Sequence, residues 1–323
     1  VGYENLILIF TSIIYEALPF IVLGVIIAGL LEEFVPQQAL ARVIPRSRPL
    51  AIALGGILGI VFPMCECGII VVMKRLLRKG LPLSVCVAYV LAGPVINVVV
   101  ILSTFVAFNP PERKDYIFGG PIFVVLLRCG LAYIVAFVTA LVVEYLDRRV
   151  GTFALLHPSV TKGLKTATDD ADEDQGRRTW GQRINNITQT ALNDFIDIMA
   201  FLVLGALLAA LGRYTLQETE LEKVIQQNVA VAILLMMAIA ILFCLCSEAD
   251  AFVAANFPPF WPPASKLAFL VLGPMLDIKL YLMYTRVFRP RLIFTIIATV
   301  VVQVFLYTML VHYLPLIYAE VTP

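Results

Sequence analysis

Two Cys-x-Cys pairs are the residues of this chain whose types and spacing could do chemistry: Cys65-Glu66-Cys67 and, 179 positions later, Cys244-Leu245-Cys246, followed by Glu248 and Asp250. Thiolates are soft donors that select Cu(I), zinc or a thiophilic metalloid over hard cations. On an intact helix residues i and i+2 point about 200° apart, so two such thiols converge on one ligand only where the backbone is broken. Pro63 and Gly68 bracket the first pair and supply a break. Cys65, Cys67, Cys244 and Cys246 are therefore the candidate metal ligands. Two or three of them suit Cu(I) or a trivalent arsenical, whereas all four would hold zinc too tightly for release. Two other readings compete. Cysteine is a common small apolar residue in membrane helices, and each pair could instead form a thiol-redox relay.

These pairs sit inside long apolar stretches. The 323 residues are 60% hydrophobic and 15% charged, with mean hydropathy +0.91, far beyond the needs of a soluble core. The expected fold class is an all-α polytopic membrane protein. A net charge of +1 without a concentrated basic face excludes nucleic acid as a partner. The six cysteines are too sparse for a secreted disulfide scaffold. Apolar runs lie at 6–31, 51–73, 81–108, 117–146, 187–211, 229–256, 264–287 and 291–318, each longer than the roughly 20 residues a crossing helix needs. The first is too long for a signal peptide and lacks its basic start. The polar stretch between the fourth and fifth runs, with its acidic patch Asp169-Asp170-Ala171-Asp172-Glu173-Asp174, reads as a solvated linker. The expected organisation is an N-terminal membrane repeat over 1–147, a polar cytoplasmic linker over 148–184 and a C-terminal membrane repeat over 185–323.

The two halves share a register. Pro19 to Gly24 matches Ala200 to Gly205 at an offset of 181, the Cys-x-Cys pairs match at 179, and Gly93-Pro94 matches Gly273-Pro274 at 180. Glu16 then pairs with Asp197, and Asn97 with Asp277. If all eight runs cross the bilayer, basic residues near their ends divide evenly between the two sides. If the two Cys-x-Cys runs turn back as re-entrant hairpins, at Pro63 to Gly68 and at Cys246 to Asp250, all but Arg113, Lys114, Arg213, Lys223 and Lys266 fall on one side. The repeats are then inverted, with broken helices meeting at the midplane; eight straight crossings is the alternative.

Glu16, Glu66, Asp197, Glu248, Asp250, Asp277, Arg128 and Lys279 also fall within apolar runs, where ionisable groups are costly and face a polar interior. The candidate substrate-binding set is Cys65, Glu66, Cys67, Asn97, Cys244, Cys246, Glu248, Asp250 and Asp277. Glu66 and Glu248 are read as carboxyls that could exchange a proton for substrate. Asn97 and Asp277 are read as holding unwound backbone or touching substrate, and static ion pairing, such as Asp277 with a base on another helix, is the plainer alternative.

Cys65-Glu66-Cys67-Gly68, Arg78-Lys79-Gly80-Leu81-Pro82-Leu83-Ser84 and Ala88 to Asn97 through Gly93-Pro94 together resemble the YraQ/ArsP family of permeases, as do Cys246-Ser247-Glu248-Ala249-Asp250 and Gly273-Pro274-Met275-Leu276-Asp277. The resemblance covers both apolar halves and leaves out the linker. It implies a multi-pass permease of the bacterial inner (plasma) membrane. Branches of that family export trivalent organoarsenicals, or copper or zinc, and many members look like subunits of a two-component permease. Glu66 stands where the family often has a small residue, and Ile69-Ile70-Val71 follows Gly68 where a proline is expected. The reading is an efflux permease for a small thiophilic substrate, with Cu(I) or Zn entering as substrate and not as cofactor. Its expected partners are the substrate, the lipid bilayer, a second permease subunit or further copies of the chain. No Walker A loop, Rossmann fingerprint or His-Glu-x-x-His occurs. An intramembrane aspartyl protease is set aside because the repeat pairs Asp277 with Asn97, so the chain is read as no enzyme. The alternative from another class is a structural or thiol-redox membrane subunit of a larger complex.

Overall fold

Gly-Pro pairs cut the apolar runs 81–108 and 264–287 into shorter helices, whereas the run 229–256 divides at Cys244 to Cys246 without either residue. The computed structural model describes residues 47–61, 66–109, 120–158, 160, 228–257 and 261–314, with isolated positions in the first and fifth runs and at residue 45. Cys65 and Pro63, the Cys67 side chain, Glu16, Asp197, the acidic patch of the linker and the basic residues Arg113, Lys114, Arg213 and Lys223 lie outside this set. The described residues form eleven helices and no strand beyond one isolated bridge, Leu156 to Phe288: the chain is all-α.

The run 51–73 is two helices, α1 (Arg48–Val61) and α2 (Glu66–Arg78). Glu66 opens α2, and Arg75 and Arg78 fall in its last turn, so both ends complement the helix dipole. A left-handed turn at Gly80 leads into α3 (Leu83–Ala92), followed by α4 (Val98–Ala107), α5 (Pro121–Val150) and a single turn, α6 (Thr152–Leu155). The order then recurs. The run 229–256 splits into α7 (Val229–Phe243) and α8 (Ser247–Ala255), and α9 (Pro263–Leu272), α10 (Ile278–Val287) and α11 (Pro290–Tyr313) follow. α5 and α11 are long and apolar enough to cross a membrane, with hydropathies of 2.3 and 2.2 over their most apolar stretches.

Both Gly-Pro signals interrupt their helices, as the sequence predicts. Pro94 and Pro274 have no N–H to donate and crowd the carbonyl one turn back. α3 therefore stops at Ala92 and α9 at Leu272. The two turns have the same hydrogen bonds: Val95 and Ile96 donate to the Ala92 carbonyl, Met275 and Leu276 to that of Leu272. Extended backbone at Asn97 and Asp277 then starts α4 and α10.

Contacts fix the helix directions. A Cβ on Gly55 would lie 2.8 Å from the Val85 carbonyl, and one on Gly59 2.5 Å from Gly93 Cα, so α1 runs parallel to α3, touching it closely enough that glycine is required. α2 runs back along α3, because Ile69 near its start lies against Gly93 while Leu81, just past its end, bonds to Leu76. α8 likewise opposes α9: its first residue lies by the end of α9 through Arg128, and Phe257 just past it receives a hydrogen bond from Lys266. Across the halves, α2 packs on α10 and, reciprocally, α8 on α4. At one end of the bundle Glu144 of α5 accepts from Ser84 (2.7 Å) and pairs with Arg148 (2.9 Å) and Arg48 (3.7 Å), joining the starts of α1 and α3. The segment after α5 continues from that end and binds the α10–α11 corner, where His157 N–H donates to Val287 (2.8 Å) and Arg289 N–H to Leu155 (2.9 Å).

Candidate functional site

The interrupted helices bring polar groups into an apolar interior. Lys279, in the first turn of α10 and 2% exposed, donates to Glu66 Oε1 at 2.9 Å; Glu66 itself is 1% exposed. The same ammonium lies 3.5 Å from Asp277 Oδ2 and 3.5 Å from the Cys244 carbonyl. One cation thus joins the first Cys-x-Cys segment through Glu66, the second through the Cys244 backbone, and the Gly-Pro-Met-Leu-Asp break. Burying a charge is tolerable only with such partners.

Each ligand group is positioned by a local rule. Asp277 is the N-cap of α10, its Oδ1 accepting from the Leu280 N–H, which leaves Oδ2 for Lys279. Asn97 caps α4 in the same way, Oδ1 accepting from Val100 N–H at 2.8 Å and Nδ2 donating to Pro94 O at 3.4 Å. Cys244 ends α7 in the left-handed region (φ 48°), the one non-glycine residue there among those described. That conformation is uncommon for a residue with a Cβ. It turns the chain between two helices while the thiol donates to Ile241 O at 3.4 Å. Cys246 is the N-cap residue of α8, so both cysteines lie on non-helical backbone, as two converging thiols require.

Around this centre lie Asp250 and Arg128. Arg128 of α5 is fully buried and uses its whole fork: Nε donates to Leu270 O (3.2 Å), Nη1 to Thr104 Oγ1 (2.7 Å) and Nη2 to Ser247 O (2.8 Å). It ties α4, α5, α8 and α9 together beside the cysteine break. Asp250, 1% exposed, rests where a Cβ on Gly273 would be 2.6 Å from its Oδ2. It lies within electrostatic range of Arg128, Glu66, Lys279 and Asp277. Glu248 is half-buried and in range of Arg128.

The structure therefore brings together Glu66, Cys244, Asp250 and Asp277, with Cys246 and Glu248 on the adjoining turn. Asn97 holds its own break and makes no hydrogen bond to this group among the described residues. Among the described residues no three His, Cys, Asp or Glu side chains are arranged to hold a metal; Cys65 and the Cys67 side chain lie outside that set. Lys279 and Arg128 stand out in the sequence as charges within apolar runs, yet sequence reasoning left both out of the site. Apart from Asp277, two residues before Lys279, and Thr104, 24 before Arg128, their partners are distant: Glu66 lies 213 residues from Lys279, and Ser247 and Leu270 lie 119 and 142 from Arg128.

A profile of the family ArsP_1, described as "Predicted permease", matches residues 3–313. Similar over nearly their whole lengths are a Bacillus subtilis (strain 168) protein named "UPF0718 protein YcgR", 36% identical over 94% of this chain and 95% of its own, and a Streptococcus mutans serotype c protein named "Putative two-component membrane permease complex subunit", 30% identical over 94% of this chain and 93% of its own. No solved structure matches.

Proposed function

Because the chain belongs to the ArsP_1 family of permeases, we propose that it moves a small thiophilic solute, a soft metal ion or a trivalent metalloid compound, through a site between its interrupted helices. The observation that carries this reading is the buried Glu66–Lys279–Asp277 group lying against the Cys244 break. Charge and irregular backbone at membrane depth belong where they line a path for solute. The thiols give soft selectivity, and the carboxylates give polar partners for the solute or a coupling ion. Cys65 and Cys67, as the counterparts of Cys244 and Cys246, complete the proposed ligand set.

The re-entrant, inverted arrangement is part of this proposal. α1 runs with α3 and α2 against it, which supports a hairpin entering and leaving from one side. α4 meets α5 at Thr104 and Arg128, in the first third of α5, whereas α10 ends against the segment that follows α5. The reciprocal packing of α2 on α10 and α8 on α4 supports the same pseudo-two-fold relation. A multi-pass location in the bacterial inner membrane and a second permease subunit follow as proposals, the latter from the name of the streptococcal relative.

The test is flux of trivalent phenylarsenical and of Cu(I) into proteoliposomes, compared with Mg2+ as a hard-cation control. Carriage of a soft solute, lowered at least tenfold in Cys244→Ser and Cys65→Ser proteins that insert normally, is expected. Wild-type flux in both variants would remove the thiols from the mechanism, and no flux of any soft solute would reject the substrate class.

A further inference from the structure

A second feature lies well away from the cysteines, at the end of the bundle where α10 meets α11. There a cleft of about 450 Å3 opens between the α10–α11 corner and His157. One wall is a strip of α11, Ile293, Phe294 and Ile297, at helical spacing. Phe294 is 74% exposed, so the strip continues onto the outer surface of an apolar helix. The rest of the lining is more polar. His157, Tyr281 and Thr285 belong to it, and the exposed Arg286, Arg289 and Arg291 alternate in sequence with the lining residues Thr285, Phe288 and Pro290. Arg289 Nε donates to Leu156 O at 3.1 Å, holding its guanidinium beside His157. The start of α11 adds the positive end of a 24-residue helix.

Neither 278–297 nor 151–160 contains an Asp or Glu. Among the described residues Arg289 and Arg291 form no salt bridge. An apolar slot running along a membrane helix, with Arg289 and Arg291 flanking its lining residue Pro290 in sequence, complements a molecule with an acyl chain and an anionic head.

We infer that the cleft between α10, α11 and His157 is a binding site for an anionic phospholipid, its phosphate held by Arg289 and Arg291 and one acyl chain lying along Phe294 and Ile297. A free phosphate would use the arginines but not the strip, and a zwitterionic lipid the strip without the charge. The rival occupant within this chain is the acidic run 169–174. The site is independent of the transported solute, but it abuts α10, whose first turn carries Lys279.

The test is lipid retention by the full chain, measured by native mass spectrometry after transfer from bilayers holding equal phosphatidylglycerol and phosphatidylcholine. Phosphatidylglycerol should be retained selectively. Arg289→Gln and Arg291→Gln should each lower retention roughly fivefold, and together roughly 25-fold, at about 1 kcal/mol per basic residue. Phe294→Ser should lower it too, while Arg149→Gln, whose guanidinium stacks on Tyr145 of its own helix, should not. Since Arg289 also holds Leu156, Arg291→Gln is the deciding variant if the other fails to fold. Equal retention of both lipids, an equal loss in Arg149→Gln, or displacement of the lipid by excess inorganic phosphate would overturn the site. A gain in retention on replacing Asp169, Asp170, Asp172, Glu173 and Asp174 by their amides would assign the cleft to the linker instead.

Discussion

The break after α3 and the break after α9 share a backbone and differ in chemistry. Each has Gly-Pro, two N–H groups returning to the last helical carbonyl, and a capping side chain at the fifth position. At the first, the cap is the neutral Asn97, the residue two further on is Val99, and Gly93 packs against Ile69. At the second, these are Asp277, Lys279 and Asp250 against Gly273. The Cys-x-Cys segments reverse the asymmetry, since Glu66 lies between the first pair and Leu245 between the second. A repeated frame thus holds an unrepeated charge set, in which the first half supplies Glu66 and the second half its partner. Repetition secures the geometry, while the single copy of each charge makes a site with one polarity.

Removing the cation should break the charged side most severely. Lys279→Met leaves Glu66 and Asp277 buried without their partner, and should cost about 3–5 kcal/mol in detergent unfolding. Adding Glu66→Gln should restore a good part of that loss. A single-variant cost below ~1 kcal/mol would mean the pair is hydrated and not the link between the two breaks. Arg128→Met comes next: three acceptors in α4, α8 and α9 lose their donor, at about 1–3 kcal/mol. Its distinguishing readout is faster cysteine alkylation at Cys246 as α8 loosens, and an unchanged alkylation rate would count against that role.

Gly59→Ala tests the shared frame and not the charges. A Cβ there would meet Gly93 Cα at 2.5 Å, and overpacking of this kind costs about 1–3 kcal/mol. Tolerance of alanine would show that α1 does not approach the α3 break so closely.

Much of the frame was legible because its causes are local. Pro94 and Pro274 end their helices whatever surrounds them, and Asn97 and Asp277 are good N-cap residues at the right spacing. The second break lies earlier than its expected place at Cys246 to Asp250: the non-helical backbone is Cys244 to Cys246, and Ser247 to Asp250 already open α8, just as Glu66 to Gly68 already open α2. The Pro and Gly that flank the first pair have Leu242 and Ser247 as counterparts, so no local breaker fixes the position of the second. Pairing was not legible. Glu66 reads in sequence as a proton-exchanging carboxyl; in the structure it is bonded to Lys279, 213 positions away, and Asp277 shares the same ammonium. The ion-pair alternative for Asp277 needs no other helix, since Lys279 is on its own. Arg128 could be flagged as a charge in an apolar run, but its three acceptors belong to helices from both halves, and only tertiary packing selects them.

The most direct measurement converts the charged break into a copy of the neutral one. Asp277→Asn retains a capping oxygen and should change stability by about 1 kcal/mol or less. It removes the charge that faces Lys279. The account predicts a folded protein whose proteoliposome flux of trivalent phenylarsenical or Cu(I) falls at least tenfold, with Asn97→Ala, a loss of cap alone, retaining most of it. Wild-type flux through Asp277→Asn would contradict the claim that transport depends on the unrepeated charge set.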